Sequence, residues 1–282
     1  MAQIMDGKLV SQSVKDKIRD RAAALKAEGK EITLAVIIVG DDPASRVYVN
    51  NKKKACEYVG FRSLEYALPA ETTQEELISL IRELNGREDV NGILCQLPVP
   101  KHIDDKAVIA AIDVKKDVDA FSSVNVGQIM IGDYDFLPCT PAGVMEILHY
   151  YQIPVDGKNC VVIGRSNIVG KPMAMLLLHE NGTVTITHSR TKDLAAFTQN
   201  ADILVAAVGK AKFVTADMVK EGAVIVDVGM NRDENGKLCG DVDFDSVKEK
   251  CSYITPVPGG VGPMTIAMLM QNTLKAFEIQ QG

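Results

Sequence analysis

A tyrosine and a lysine stand four positions apart in the segment Ser45–Lys52, and this pair could serve proton chemistry. The segment follows Pro43, a residue favoured in the first turn of a helix, and a spacing of four places both side chains on one helix face. Tyr48 offers a flat ring with a hydroxyl tip, and Lys52 offers a movable proton donor whose charge depends on its surroundings. The pair therefore suits proton transfer on a planar substrate. The basic run of residues 52–54 is also typical of a solvated helix face, and the spacing alone does not separate the two interpretations.

A second candidate site lies in residues 161–172, whose sequence VVIGRSNIVGKP is typical of a strand, a tight glycine turn and a helix start. Gly164 would make the turn and Gly170 would permit close packing of the helix, while Ser166 stands where the usual pattern has its middle glycine. The helix N-terminus would offer backbone amides to a phosphate group. The segment predicts a dinucleotide site, and the alternative is a plain strand-to-helix connection.

The turn after the next predicted strand indicates which dinucleotide would bind. Residues 187–191 read THSRT and contain none of the acidic residues with which NAD-specific enzymes grip the ribose hydroxyls. Ser189 and Arg190, together with Arg165, favour the additional 2′-phosphate of NADP, because arginine binds phosphate through charge-assisted hydrogen bonds. NADP is therefore the predicted cofactor, and the alternative is that both arginines are solvated loop charges. His188 is expected to be a turn residue and not a catalyst.

The composition predicts a soluble α/β protein of two domains. A chain of 282 residues can bury more than one core, and 46% hydrophobic with only 5% aromatic residues is typical of aliphatic strands. The net charge is -6 and the basic residues form no long block, so the electrostatic pattern of a nucleic-acid binder is missing. We therefore expect a small-molecule partner and no nucleic acid.

Cysteine usage and the absence of long apolar runs bear on the cellular location. The six cysteines form no CxxC pair and the histidines are scattered, which predicts reduced core cysteines and no metal site. The first ten residues include Asp6 and lack an apolar stretch of signal-peptide length, and no apolar run approaches the ~20 residues that a membrane span requires. These features predict a cytoplasmic protein without membrane interaction.

Short apolar runs alternate with longer helical patterns along the chain, which predicts parallel or mostly parallel sheets covered by helices, the second of them Rossmann-like. The expected strands are Thr33–Val39, Gly92–Gln96, Asn159–Ile163, Thr183–Thr187, Ile203–Val208 and Val224–Val228. A domain boundary is expected near Pro138, followed by a helix that Thr140 caps and that runs to about Tyr151. A C-terminal helix over residues 264–279 is expected to fold back onto the first domain. The predicted domains are 1–138, completed by the C-terminal helix 263–282, and 139–262.

These segments carry a set of ordered motifs that covers essentially the whole chain: SxxYVxxK (45–52), QLPxP (96–100), KDVD (116–119), CTP (139–141), GRSxIVGxP (164–172), THSRT (187–191) and TPVPGGVGPMT (255–265). Together they resemble the bifunctional methylenetetrahydrofolate dehydrogenase/methenyltetrahydrofolate cyclohydrolase family. The resemblance implies a homodimer that acts on tetrahydrofolate derivatives. It also implies a folate domain formed by both ends of the chain, a central domain that holds NADP, and an active site in the cleft between the domains.

The resemblance implies roles for individual residues. Lys52 would be the central catalytic group, with Tyr48 beside it against the substrate rings and Gln96 as its hydrogen-bonding support. Asp119 would hold the amino-pyrimidine edge of the pterin, since an ionised carboxylate accepts the hydrogen bonds that this edge donates. The implied substrate-binding set is Tyr48, Gln96, Leu97, Pro98, Asp119, Pro258, Gly259 and Gly260. The implied cofactor-binding set is Gly164, Arg165, Ser166, Ile168, Val169, Ser189, Arg190, Gly209 and Met230.

The resemblance further implies oxidation of methylenetetrahydrofolate to methenyltetrahydrofolate by hydride transfer to NADP, followed by hydrolysis to formyltetrahydrofolate. The chain departs from the family pattern after KDVD, where Gly-Phe and a histidine-proline-like pair are replaced by Ala120, Phe121, Ser122 and Ser123. Two other interpretations use fewer of the motifs. They are an NADP oxidoreductase that acts on a small acid, and a nucleotide-sensing module without turnover.

Overall fold

The structure is a computed structural model that describes residues 2–281, apart from the side chain of Ala44. Its strands are β1 Gln3–Ile4, β2 Thr33–Val39, β3 Arg62–Leu68, β4 Gly92–Cys95, β5 Asn159–Ile163, β6 Thr183–Thr187, β7 Ile203–Ala206, β8 Val224–Asp227, β9 Asn231–Arg232, β10 Leu238–Cys239 and β11 Tyr253–Ile254. Its α-helices are α1 Gly7–Ala27, α2 Pro43–Val59, α3 Gln74–Gly86, α4 Asp105–Ala111, α5 Ser123–Ile131, α6 Cys139–Tyr150, α7 Gly170–His179, α8 Leu194–Thr198, α9 Phe244–Val247 and α10 Val261–Gln280, with a 3₁₀ turn at Ala216–Met218.

The chain forms two compact units. The flanking unit comprises Gln12–Leu137 and the chain from Ile266 onward, and the central unit comprises the chain up to Ser11 and Pro138–Thr265. Helices α1 and α10 contribute residues to both units. The predicted first domain included residues 1–11, whereas the structure groups them with the central unit because β1 pairs in parallel with β11.

The flanking unit is built on a three-stranded parallel sheet in the order β3-β2-β4. Every residue of the central strand β2 is buried, as its uninterrupted aliphatic sequence requires. Helix α3 packs Leu77, Ile81 and Leu84 against this sheet with a spacing of three to four residues. A capping box at Thr73 and Glu76 begins the helix. The sheet thus has a fully buried central strand, β2, with β3 and β4 on either side of it.

Strand β3 was missing from the sequence prediction. It pairs with β2 over seven residues, yet its residues are a mixture of exposed and partly buried positions and none is fully buried. Its sequence, RSLEYAL, carries two charged residues and lacks the continuous aliphatic run by which the other strands were identified. The pattern is typical of an edge strand, where charged side chains face solvent.

Helix α10 makes several contacts within the flanking unit. The amide Nδ2 of Asn272 donates hydrogen bonds to the carbonyl oxygens of Val118 and Leu137, each at 2.8 Å. The thiol of Cys56 on α2 lies 3.7 Å from the sulfur of Met270. The helix begins at Val261, three residues before the predicted start, because Pro263 is accommodated in the first helical turn.

The central unit contains a six-stranded parallel sheet in the order β1-β11-β8-β7-β5-β6. Counted from β5, the first five strands have the order 2-1-3-4-5, and the chain reverses its direction across the sheet between β5 and β7. In open α/β sheets, ligands bind beyond the carboxyl ends of the strands at such a reversal. The α/β class and the Rossmann-like character of this unit are as predicted, and among its described strands only the short hairpin β9-β10 is antiparallel.

The expected cap of α6 is wrong. The helix begins at Cys139, with Pro138 in the N-cap position and no side-chain capping bond. Thr140 already has helical geometry, and its hydroxyl lies 2.9 Å from that of Thr265. The threonine therefore joins two segments of the central unit instead of starting the helix.

Within residues 2–281, no helix is long and apolar enough to cross a membrane. The same residues include no group of three or more His, Cys, Asp or Glu side chains that could hold a metal ion. Five of the six cysteines are buried, as predicted, and Cys239 in strand β10 is partly exposed.

Candidate active site and nucleotide site

Lys52 and Gln96 meet across the flanking unit. The Lys52 ammonium donates a hydrogen bond of 2.8 Å to Oε1 of Gln96, and Nε2 of Gln96 donates one of 2.7 Å to the carbonyl oxygen of Leu97. Helix α2 supplies the lysine, and the residue directly after β4 supplies the glutamine. The glutamine is thereby held with its acceptor oxygen toward the amine. This is the pairing that the resemblance implied.

The burial of helix α2 separates Lys52 from its neighbours. Lys52 is partly buried, whereas Lys53 and Lys54 are exposed. The helix begins at Pro43 as predicted, and the Asp42 carboxylate accepts a hydrogen bond from the Ser45 amide at 2.7 Å. Within the basic run of residues 52–54, only Lys53 and Lys54 therefore belong to a solvated helix face.

Tyr48 lies one turn before Lys52 on α2, and its side chain is 38% exposed. Burial of the rest of the side chain raises the pKa of the hydroxyl, so Tyr48 is neutral at physiological pH. A neutral, half-exposed ring can contact a planar substrate and still present a hydrogen-bonding hydroxyl group.

Asp119 lies on a small pocket of the flanking unit that Cys95, Leu97 and Phe121 also line. Burial raises the pKa of the Cys95 thiol to about 12, and the negative charge of Asp119 adds to this shift while the positive charge of Lys52 opposes it. Both charges therefore act on the same end of β4. The structure brings Lys52, Gln96, Leu97 and Asp119 into one region of the flanking unit.

Pro98, predicted with this group, is exposed and follows Leu97 through a cis peptide bond. The exposed proline ring lies two residues from Gln96. It remains a predicted substrate contact.

The other charged residues of the KDVD motif have structural contacts. The buried Lys116 ammonium donates to the carbonyl oxygens of Leu84, Asn85 and Arg87 at 2.7 to 3.2 Å, where helix α3 ends. Asp117, also buried, accepts hydrogen bonds from three donors at 2.8 to 3.3 Å, namely Phe121 N, Ser122 N and Asn125 Nδ2. Lys116 and Asp117 therefore fix the loop that carries Asp119.

The departure from the family pattern after KDVD has a structural consequence. Ala120 is fully buried and has a φ of 57°, in the left-handed region that favours the glycine of the family pattern. Ser122 accepts a hydrogen bond from the Asn125 amide at 3.2 Å and so caps helix α5. Helix α5 lies ahead of the expected domain boundary, in a stretch where the sequence predicted no helix.

In the central unit, the glycine turn after β5 has no room for side chains at its two glycines. A Cβ at Gly164, whose φ is 135°, would overlap the carbonyl oxygen of Ala207. A Cβ at Gly170 would overlap the backbone of Gly164. The helix start is thus packed directly on the turn, as the dinucleotide pattern requires.

Ser166 organises this turn through its own side chain. Its hydroxyl accepts hydrogen bonds from the amides of Val169 and Gly170 at 3.1 and 3.2 Å, and its carbonyl oxygen accepts one from Lys171 at 3.0 Å. Three amides at the start of α7 are therefore already engaged. Arg165 and Ile168 are exposed on the same turn, and the guanidinium of Arg165 can reach an anionic ligand.

The THSRT segment forms a tight turn after β6. The Arg190 amide donates to Nδ1 of His188 at 3.1 Å, and the His188 amide donates to the Thr191 hydroxyl at 2.9 Å. His188 is therefore a turn residue, as predicted. Ser189 and Arg190 are both exposed at the tip of the turn.

Gly209 and Met230 follow β7 and β8 at the carboxyl edge of the same sheet. Gly209 has a φ of 66°, and its amide donates to the buried carboxylate of Asp241 at 3.0 Å. Met230 is 50% exposed. Sequence reasoning missed Asp241 and its buried neighbour Asp227, although an acid at the end of a buried strand could have marked Asp227.

The loop that carries Pro258, Gly259 and Gly260 belongs to the central unit. Gly259 has a φ of 106°, and its carbonyl oxygen accepts a hydrogen bond of 3.2 Å from the Lys8 amide. A Cβ at Gly260 would overlap the carbonyl oxygen of Pro256. The two glycines are thus required by the course of the backbone, and Pro258 is exposed beside them.

These features fit a dinucleotide with an additional phosphate. Gly164 and Gly170 let the start of α7 pack directly on the turn after β5, Arg165 and Arg190 are exposed cations, and the turn after β6 has no carboxylate that would repel a 2′-phosphate.

Two family descriptions match the chain. The catalytic domain of tetrahydrofolate dehydrogenase/cyclohydrolase matches residues 5–119, and the NAD(P)-binding domain of the same family matches residues 138–281.

Individual relatives match over the full length. Bifunctional protein FolD of Lachnoclostridium phytofermentans is 62% identical over 99% of this chain and 100% of its own length. Among solved structures, bifunctional FolD from Campylobacter jejuni is 50% identical with a TM-score of 0.97, covering 99% of both chains. The Trypanosoma brucei FolD structure, complexed with NADP cofactor and inhibitor, is 40% identical with a TM-score of 0.94, covering 99% of this chain and 98% of that one. The sequence motifs, the folds of both units and these matches agree, and the chain belongs to the tetrahydrofolate dehydrogenase/cyclohydrolase family.

Proposed function

We propose that this chain oxidises methylenetetrahydrofolate to methenyltetrahydrofolate and then hydrolyses that product to formyltetrahydrofolate, with Lys52 as the proton-transfer group. The two reactions are those of its family, and NADP is the cofactor. The observation that carries the residue assignment is the hydrogen bond of 2.8 Å between Lys52 Nζ and Gln96 Oε1, in a region that also contains Asp119.

NADP, when bound, supplies the acceptor for the hydride that leaves the methylene carbon. Within the central unit, Gly164 makes the tight turn and Gly170 lets α7 pack on it, so that the start of the helix faces the pyrophosphate. Arg165 and Arg190, with Ser189, bind the 2′-phosphate through charge-assisted hydrogen bonds. Ile168, Val169, Gly209 and Met230 complete the proposed binding surface. The protein contributes orientation, which can lower a barrier by roughly 7 to 11 kcal/mol in favourable cases.

The hydrolytic step needs a group that moves protons. A water molecule adds to the methenyl carbon and loses both of its protons as the bond between that carbon and one folate nitrogen breaks; one proton goes to the freed nitrogen and the other is released to solvent. The Lys52 amine removes and delivers these protons, since an amine can both accept and donate. Gln96 holds the amine in place by accepting one of its hydrogen bonds.

Substrate orientation is assigned to the surrounding residues. The half-exposed Tyr48 ring contacts the planar rings of the folate, and the Asp119 carboxylate accepts hydrogen bonds from the amino-pyrimidine edge. Leu97 and Pro98 form an apolar contact next to Gln96. Pro258, Gly259 and Gly260 provide backbone contacts from their loop.

The Lys52→Gln variant tests the central assignment. We expect methenyltetrahydrofolate hydrolysis, followed as decay of the methenyl absorbance, to fall by about 10² to 10⁴, the usual contribution of general acid–base catalysis. Folate affinity, measured by titration, should change only a few-fold because glutamine keeps most of the side-chain volume. Lys53→Gln, one residue along and exposed, is the matched control and should hydrolyse at the normal rate. Undiminished hydrolysis by Lys52→Gln would refute the role.

We also propose a homodimer in the cytoplasm. Strand β3 pairs with β2 on one side, and among the described residues no strand pairs with its other edge. An exposed edge is a surface on which a second copy can add a strand.

Five buried cysteine thiols are consistent with a reducing compartment. Sedimentation at micromolar concentration tests the dimer, and a monomer there would contradict it; cell fractionation tests the location.

A further inference from the structure

Asp227 and Asp241 carry neighbouring buried carboxylates near the carboxyl edge of the central sheet, and neither has a role in the proposed reaction. Asp241 is fully buried and Asp227 is 3% exposed. Asp227 ends β8, and the β9-β10 hairpin returns the chain so that Asp241 follows β10. Buried carboxylates are rare unless hydrogen bonds compensate for their lost hydration.

Asp241 accepts four hydrogen bonds from two loops that the proposed NADP site uses. Its Oδ2 accepts from the amides of Val208 and Gly209 at 2.6 and 3.0 Å. Its Oδ1 accepts from the Lys210 amide at 2.8 Å and from Asn231 Nδ2 at 2.9 Å. The first three donors follow β7, and Asn231 comes directly after Met230 in the segment that follows β8. The Asp241 carboxylate therefore links the segment that follows β7 to the segment that follows the neighbouring strand β8.

Asp227 fixes Asp241 from the other side. Its Oδ1 accepts hydrogen bonds of 2.9 Å from the amides of Gly229 and Asp241, and its Oδ2 accepts one of 2.9 Å from the Val242 amide. A Cβ at Gly229 would overlap the Asp241 carboxylate, and a Cβ at Gly240 would overlap the Asp227 carboxylate. The two acids thus pack directly on glycine backbone, which leaves them little freedom to shift.

From this geometry we infer that Asp241 is a positioning residue for the pyridine nucleotide. Asp241 holds Val208–Lys210 and the segment after β8 in the shape that receives the cofactor, and Asp227 in turn holds Asp241 in position. The inference rests on the proposed NADP site, and it adds a residue that would act through the loop without touching the ligand. Both loops lie at the carboxyl edge of the sheet, and the first follows β7, beside the reversal of strand order where such ligands bind.

The Asp241→Asn variant tests this role in the full chain. An asparagine has only one acceptor oxygen, so its NH₂ group must face two backbone or side-chain donors in either orientation. We expect the dissociation constant for NADP to rise by about tenfold or more, as it would if the binding-competent loop were populated a tenth of the time. Amide hydrogen exchange at residues 208–210 should accelerate. Cyclohydrolase turnover, assayed on methenyltetrahydrofolate without NADP, should stay within about twofold.

Asp243→Asn is the matched control, because it makes the same chemical change two residues along and the Asp243 side chain makes no capping bond to α9. It should leave NADP affinity and exchange at residues 208–210 unchanged. If Asp241→Asn does not fold, Asn231→Ala removes a single donor and should raise the NADP dissociation constant about threefold, with cyclohydrolase turnover again unaffected.

The possible outcomes distinguish the positioning role of Asp241 from the proposed function. Unchanged NADP affinity in Asp241→Asn, or in Asn231→Ala where that variant replaces it, overturns the positioning role. So does a loss of cyclohydrolase activity in proportion to the loss of affinity, since that would indicate a general structural defect. Failure of the unsubstituted chain to bind NADP overturns the proposed function, and hydrogen exchange at residues 208–210 then still decides whether Asp241 organises the loop.

Discussion

At the scale of single residues, Lys52, Lys53 and Lys54 have the same side chain and differ in their burial and in their partners. Lys52 is partly buried and bonded to Gln96, while Lys53 and Lys54 are exposed. The spacing of Tyr48 and Lys52 predicted a shared helix face, but the partner that distinguishes Lys52 is Gln96, 44 residues away in sequence. The motif resemblance could identify the lysine, and only the fold supplies the physical reason.

Asp119 gives a prediction at this scale. Replacement by alanine should raise the dissociation constant for folate by tenfold or more, because the amino-pyrimidine donors lose a charged acceptor. NADP affinity should be unchanged, since the cofactor is assigned to the central unit. Asp133→Ala, at an exposed position just after α5, is the control and should bind folate normally. An equal loss of NADP affinity in Asp119→Ala would contradict the division of the sites.

Ala120 gives a second prediction, on stability. A left-handed φ costs a non-glycine residue roughly 1 to 2 kcal/mol, so glycine should relieve strain. The same change adds backbone freedom to the unfolded chain and removes a buried methyl, which together cost about as much. We therefore expect Ala120→Gly to change the free energy of unfolding by less than about 1 kcal/mol.

A larger side chain at position 120 has no such compensation. Ala120→Val adds two methyl groups to a fully buried position and places a β-branched residue in the left-handed region, so we expect a loss of about 3 kcal/mol. Denaturant unfolding measures both variants. Similar stabilities for the valine and glycine variants would mean that the backbone at this position relaxes.

At the scale of elements, Lys116 joins a loop to a helix end. We expect Lys116→Met to lower the free energy of unfolding by about 2 to 4 kcal/mol, because three carbonyl groups at the end of α3 lose a charged donor. Methionine has a similar volume, so packing should be largely kept. Lys115→Met is the control, because Lys115 is exposed and adjacent. Equal effects of the two changes in denaturant unfolding would rule out the capping role.

The elements differ in how far the sequence could predict them. Buried parallel strands such as β2, β5 and β8 show as continuous aliphatic runs, and α2 was predictable from Pro43. Strand β3 was missed because an edge strand mixes charged and apolar residues. The cap of α6 was misassigned because the Thr140 hydroxyl has a distant partner, Thr265, which local sequence does not reveal.

At the scale of the whole molecule, the motifs identified the family, and the comparisons confirm that assignment and the two activities. They favour the folate enzyme over a small-acid oxidoreductase or a nucleotide sensor. The Asp227–Asp241 pair was not predictable. Its members are fourteen positions apart, Asp241 looks like an ordinary loop acid, and their contact depends on the returning hairpin.

The burial of Asp227 predicts a pH dependence of global stability. Burial raises the pKa of its carboxyl group to about 6, helped by the nearby charge of Asp241 and opposed by three backbone amides. The folded state therefore binds a proton more tightly than the unfolded state, whose pKa is about 3.9. This group's stabilising contribution, roughly 3 kcal/mol for a difference of about two pKa units, is fully present below pH 4 and is lost as the pH rises through about 6.

Denaturant unfolding between pH 4 and 7 measures this contribution against the Asp227→Asn variant. The variant lacks the titrating group, so the difference in the free energy of unfolding between the two proteins should change with pH, in the variant's favour as the pH rises. Parallel profiles for the two proteins would show that Asp227 does not titrate in this range.

The pairing of β1 with β11 has a consequence for synthesis of the chain. Gln3 is made 250 positions before its partner Tyr253. At a typical 5 to 20 residues per second, the ribosome needs about 10 to 50 s to reach that partner. The pairing of β1 with the central sheet therefore has to wait for that interval, and the nascent polypeptide keeps β1 unpaired until the ribosome has passed Tyr253.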